Sequence, residues 1–179
     1  MIFHSTTILG IRLGKNSAMG GDGQVTHGDM QLKQKAVKVR KFTSGKNEIL
    51  GGFAGAAADA FTLFEKFESK LDEYGGQLQR SVVELAKDWR TDKYLRHLDA
   101  MLALMDRGSS YIVSGDGNVV EPDGPVIAIG SGAGYAHAAA LAYLEEKKYS
   151  PKQVVRKALK ITADICIYTN DQLTILELT

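Results

Sequence analysis

Cysteine is almost missing from this chain. Cys166 stands alone, which excludes an internal disulfide and a Cys-x-x-Cys metal pair and points to a reducing compartment. Charge of one sign is missing too. Lys and Arg number 22 against 21 Asp and Glu, a net charge of +1, without the basic excess that dominant nucleic-acid binding requires. The local run "KQKAVKVRK" (33–41) reads as a solvated strand and loop. No stretch near the start combines a charged beginning with a long apolar centre, so a secretory signal is not expected. Linkers, repeats and low-complexity segments are absent. The expectation is one domain in the cytoplasm.

One stretch has no charged side chain at all: "GPVIAIGSGAGYAHAAALAYL" (124–144). Its length approaches a bilayer span. Its glycines and alanines, Pro125, His137 and a change of period predict instead a buried strand running into a buried helix. Familiar catalytic signatures are missing as well. "GSGAG" (130–134) is not followed by Gly-Lys-Ser/Thr and lacks the full G-x-G-x-x-G of a dinucleotide site. No G-x-S-x-G elbow surrounds Ser114 or Ser131. His4, His27, His97 and His137 show no metal-ligand spacing. Cys166, read as mid-helix in "DICIY", is expected to be a buried inert thiol.

What is present is an alternation of strands and helices. "TTILGIRL" (6–13) and "SAMGGD" (17–22) read as a hairpin. "AVKVRKF" (36–42) and "EILGGFA" (48–54) read as a second, turning at "SGKN" (44–47). Two amphipathic helices follow. Phe61, Phe64, Phe67, Leu71 and Tyr74 form the stripe of the first, which ends at Gly75-Gly76. Leu78, Val82, Leu85 and Trp89 form the stripe of the second. Further strands are expected at 100–105, 109–115, 118–122 and 126–132. Helices are expected at 134–146 and 151–168, the latter opened by Ser150-Pro151, and "QLTILEL" closes the chain as a strand. The order predicts an α+β fold: two antiparallel sheets face to face, with helix pairs outside.

Thr6 and Thr7 head the first strand. Threonine suits strands, and that reading is sufficient for both. The alternative is chemical. A threonine hydroxyl needs a base, and an N-terminal threonine carries one in its α-amine, whose ordinary pKa is about 7.7–8.0. That chemistry requires cleavage of the Ser5–Thr6 bond. It also needs a lysine, a carboxylate to hold it and a backbone oxyanion donor. Asp22, the lysines from Lys33 to Lys41 and "GGFAG" (51–55) are available, and composition does not choose among them.

The joint run of "GDGQV" (21–25), "GFAG" (52–55), "ADAFTLFE" (58–65), "ELAKDWRTD" (84–92) and "CIYTN" (166–170) resembles the HslV (ClpQ) family of proteasome-like peptidases, from Thr6 to the C-terminus. The resemblance implies an N-terminal-nucleophile hydrolase fold, a four-layer αββα sandwich. It implies a threonine-type endopeptidase, the proteolytic half of an ATP-dependent protease. Its double ring of six (a dodecamer) is fed unfolded proteins by a hexameric AAA+ ATPase unfoldase, HslU (ClpY). Carried over by motif, Thr6 is the nucleophile, Asp22 the acidic partner and Lys38 the lysine that tunes the α-amine, with Lys33 as runner-up. Gly52 is the oxyanion donor and Ser131 the serine beside the amine. No cofactor serves the chemistry; ATP is used by the partner. A structural monovalent cation, sodium, is implied on the carbonyls of Ala163, Cys166 and Thr169, where many relatives have glycine in place of Ala163. Residues 1–5 are then a leader removed by autolysis, and 6–179 a single peptidase domain. A non-peptidase amidohydrolase and an inactive ring-building subunit are the alternatives.

Overall fold

The computed structural model describes residues 6–95, 98 and 100–179, without the side chains of Ala57 and Ala58. His4 and His97 therefore lie outside the described residues. β1 (Thr7–Leu13) is the middle of a four-stranded antiparallel sheet. It pairs on one side with β10 (Val126–Gly130) and on the other with β2 (Asn16–Gly21), which pairs in turn with β11 (Thr174–Leu178). The second sheet runs β5 (Val39–Ser44), β6 (Asn47–Gly55), β7 (Ala100–Met105), β8 (Ser110–Ser114) and β9 (Val119–Val120), again antiparallel throughout. A separate small hairpin, β3 (Val25–His27) with β4 (Met30–Lys33), stands outside both sheets.

Period-2 alternation explains why β1 is apolar along most of its length. Ile8 enters the core between the two sheets, while Leu9 and Ile11 point the other way, under the helices. A strand covered on both faces loses the polar half of its pattern. β6 behaves alike: Ile49 and Phe53 pack on one side, Leu50 and Ala54 on the other. Three apolar clusters thus fill the three spaces between four layers.

The outer layers are α1 (Ala57–Glu73) with α2 (Leu78–Thr91), and α3 (Ala133–Glu145) with α4 (Pro151–Ile165). The first pair covers the five-stranded sheet, where Phe42 meets Phe64 and Phe67 edge-on at centroid distances of 5.3 and 5.1 Å. The second covers the four-stranded sheet through Ala136, Ala140, Val154, Val155, Ala158 and Leu159. α4 opens with a complete capping box: Ser150 accepts from the Gln153 N–H, and the Gln153 side chain accepts from the Ser150 N–H. Two backbone donors that a helix start leaves unpaired are thereby satisfied.

The expected αββα layering stands, with local differences. Phe61, expected in the apolar stripe of α1, is 71% exposed. Helix 134–146 is half-exposed instead of buried, with Tyr135 and Leu141 open to solvent. Cys166 caps α4 and does not lie mid-helix, though its side chain is buried as expected. The uncharged stretch 124–144 divides into β10 and α3. Among the described residues no helix is long and apolar enough to cross a membrane.

Candidate active site

Antiparallel pairing gathers the candidate residues. The start of β1 lies beside the ends of both its neighbours, with Thr7 opposite Gly130 and Ile8 opposite Gly21. Thr6 just before β1, Asp22 just after β2 and Ser131 just after β10 are therefore brought to one end of the sheet. Lys38, just before β5, arrives from the facing sheet. Residues far apart in the chain meet because four strand ends coincide.

Asp22 is the hub and is fully buried. Its Oδ1 accepts from the Thr7 N–H at 2.8 Å and from Lys38 Nζ at 3.1 Å. Its Oδ2 accepts from the Gln24 N–H at 2.9 Å. Lys38 Nζ also donates to the Gln24 carbonyl at 2.5 Å. Lys38 is 3% exposed and Val39 beside it is buried, so the solvated reading of "KQKAVKVRK" fails at these two residues, while Lys33 and Lys35 are exposed. Burial pushes the Lys38 ammonium below its ordinary value of 10.5, and the Asp22 carboxylate opposes that shift by charge and by hydrogen bond. Such a cation loses its proton more readily than a surface lysine and supplies a fixed positive field. Lys33 has no place in this cluster.

Thr6 is 3% exposed. Its carbonyl accepts from the Ser131 N–H at 2.8 Å. The Ser131 side chain is exposed, so the residue holds Thr6 through its backbone. This approach depends on Gly130, which has φ +94°. A Cβ there would lie 2.0 Å from the Thr6 carbonyl oxygen. Gly130→Ala is expected to displace Thr6 and to lower the melting temperature. Thermal denaturation of the variant checks this, and a parental melting temperature would refute the dependence.

Gly52 does not fit the donor role. The Phe53 N–H donates to the Lys38 carbonyl at 3.2 Å. Successive N–H groups of a strand point to opposite edges, so the Gly52 N–H turns away, toward Ala103 of β7. Its lack of a side chain serves packing: a Cβ would lie 2.5 Å from Ile8 Cγ2, so Gly52 lets the sheets close on each other. By the same alternation Gly55, at the end of β6, turns its N–H to the Lys38 side. It lines a cleft of about 770 Å³ together with Thr6, Val37, Phe53, Phe61 and Phe64. Gly55 closes the "GFAG" motif; strand parity, which the sequence does not display, separates it from Gly52.

Thr169 and Cys166 are buried, and the Thr169 N–H donates to the Cys166 carbonyl at 3.0 Å. The Cys166 N–H takes the Thr162 carbonyl at 2.8 Å. The Ala163 carbonyl lies beyond this final bond of α4, and the Cys166 oxygen keeps a second lone pair. Neutral carbonyl oxygens at a helix C-terminus suit a hard monovalent cation. Among the described residues no three His, Cys, Asp or Glu side chains cluster as a metal site.

Residues 2–178 match the proteasome subunit family. The crystal structure of eukaryotic HslV from Trypanosoma brucei superposes with a TM-score of 0.90 at 40% identity, covering 96% of this chain and 98% of that one. Thiobacillus denitrificans BPH superposes at 0.75 and 19% identity, over 96% and 97% of the two chains. Its complex with epoxomicin superposes at 0.74 and 17% identity, with the same coverage. These last two show the shared fold.

Proposed function

The chain belongs to the proteasome subunit family, and from that premise we propose that it is an HslV-like threonine endopeptidase with Thr6 as its N-terminal nucleophile. The observation that carries this reading is the buried Asp22–Lys38 pair against the first residues of β1. A desolvated ion pair is costly, and one beside two threonines at a cleft has a use there.

In this reading residues 1–5 are removed, 6–179 form the peptidase domain, and the freed α-amine is the base. Thr6 Oγ1 attacks the substrate carbonyl carbon while its proton passes to the amine, through a water. The Lys38 cation holds the amine's pKa down, so that its neutral form exists at physiological pH. The developing oxyanion takes a backbone N–H, for which Gly55 fits better than Gly52. The intermediate collapses, the amine returns the proton to the leaving nitrogen, and a Thr6 ester remains for water to hydrolyse. Ser131 steadies Thr6 throughout. A sodium ion, if bound, would sit on the Ala163, Cys166 and Thr169 carbonyls and supply structural charge only. The proposed assembly is a double ring of six working with an HslU-type hexameric ATPase on unfolded proteins.

An intact-mass measurement tests the premise of this chemistry, followed by peptide hydrolysis with and without the ATPase and ATP. The mature chain is expected to begin at Thr6 and to cleave peptides faster with the partner. Hydrolysis by a chain that still begins at Met1 would sink the α-amine mechanism, and equal rates with and without the partner would sink the coupling.

A further inference from the structure

One hydroxyl next to Thr6 takes part in none of these steps. Thr7 is fully buried, and its side chain ties together three segments of the chain. The Gly132 N–H, at the start of α3, donates to Thr7 Oγ1 at 3.0 Å. Thr169 Oγ1, in the loop between α4 and β11, lies 2.7 Å from the same oxygen. The Thr7 N–H is already committed to Asp22 at 2.8 Å.

The consequence reaches Thr6 by a short route. Gly132 follows Ser131, and the Ser131 N–H holds the Thr6 carbonyl. Thr6 itself precedes β1. We propose that Thr7 and Thr169 are a positioning pair: their joined hydroxyls pin the 131–132 turn, and that turn aims Thr6 at the substrate. The proposal rests on the nucleophile reading above. A threonine placed at residue 7 for strand propensity alone needs no such partner, and valine would serve it as well.

The test compares Thr7→Val, Thr169→Val, the double variant, Thr7→Ser and a control, Thr162→Val. The Thr162 hydroxyl is also buried but donates to the Ala158 carbonyl inside α4 at 2.9 Å. Thr7→Val and Thr169→Val are each expected to lower kcat by about 10- to 100-fold, the scale of a misplaced reacting group, with KM unchanged. Thr7→Ser restores most of kcat. The double variant is no worse than the poorer single one, because the pair acts as a unit. Thr162→Val loses thermal stability but keeps kcat. A Thr7→Val enzyme with parental kcat, additive losses in the double variant, or an equal kcat loss in Thr162→Val would overturn the proposal. If Thr7→Val does not fold, Thr169→Val alone carries the comparison. Thr6→Ala, assayed alongside, separates the two ideas. Activity in it defeats the nucleophile reading; its inactivity beside a fully active Thr7→Val defeats only the positioning pair.

Discussion

Thr6→Ala is expected to abolish peptide hydrolysis and to leave the folded chain intact. Loss of a nucleophile acting in a unit with its base costs about 10⁶-fold in kcat in a well-measured hydrolase, so a residual rate below about one thousandth of the parent is the expectation. Stability should change little. Thr6 sits outside the β1 ladder, and the bond from the Ser131 N–H ends on its backbone carbonyl, which the substitution keeps. The same change should block autolysis, because the hydroxyl proposed to attack substrate is the one that would attack the Ser5 carbonyl. The variant is then expected to retain residues 1–5 by intact mass while its circular dichroism matches the parent. A Thr6→Ala protein that cleaves peptides at the parental rate would remove the basis of the proposed mechanism.

Breaking the Asp22–Lys38 pair is expected to cost both activity and stability. Lys38→Met keeps the aliphatic stem but leaves the buried Asp22 carboxylate, among the described residues, with the Thr7 and Gln24 N–H groups. Removing one partner of a buried pair costs about 3–5 kcal/mol, readable by denaturant titration. Activity should fall by about 10²–10³-fold, the cost of losing a preorganised charge at a reacting centre. The pH dependence has a definite sign. Lys38 has a lowered pKa in the folded state, so between that value and its unfolded value the unfolded chain binds more protons. Stability therefore rises with pH across that window. Below it Lys38 is charged in both states and the desolvation cost is fully felt. Unfolding titrations through the alkaline range up to pH 10.5 should show this rise in the parent and its absence in Lys38→Met. In Asp22→Asn the opposing charge is gone, so the window widens downward. A Lys38→Met protein with parental kcat/KM and a parental stability profile would show the pair to be incidental.

How much of this was legible beforehand differs by residue. The helices α1 and α2 follow from stripes such as Leu78, Val82, Leu85 and Trp89, all buried as the spacing predicts. The Ser150-Pro151 start of α4 was readable because capping is local chemistry. Phe61 was misassigned because its place in the stripe says nothing about which side opens on a cleft. Lys38 looked like one more solvated lysine in a basic run, and only the resemblance marked it out. The β3–β4 hairpin went unassigned: all four β4 residues are exposed, so no apolar alternation announces that strand.

By itself the sequence determined the order of the elements other than the β3–β4 hairpin, the two-sheet layering and the absence of an internal disulfide, because periodicity, caps and composition are local properties. It also marked Thr6, Asp22, Lys38 and Ser131, through motifs whose meaning came from resemblance. The tertiary structure decided what depends on direction and distance. Strand parity turned the Gly52 N–H away and left Gly55 facing the cleft. Burial separated Lys38 from Lys33. Sheet pairing brought Thr7 within 2.7 Å of Thr169, 162 positions later in the chain. No local pattern encodes such a contact, since it forms only where strand ends from distant hairpins and the end of a helix converge.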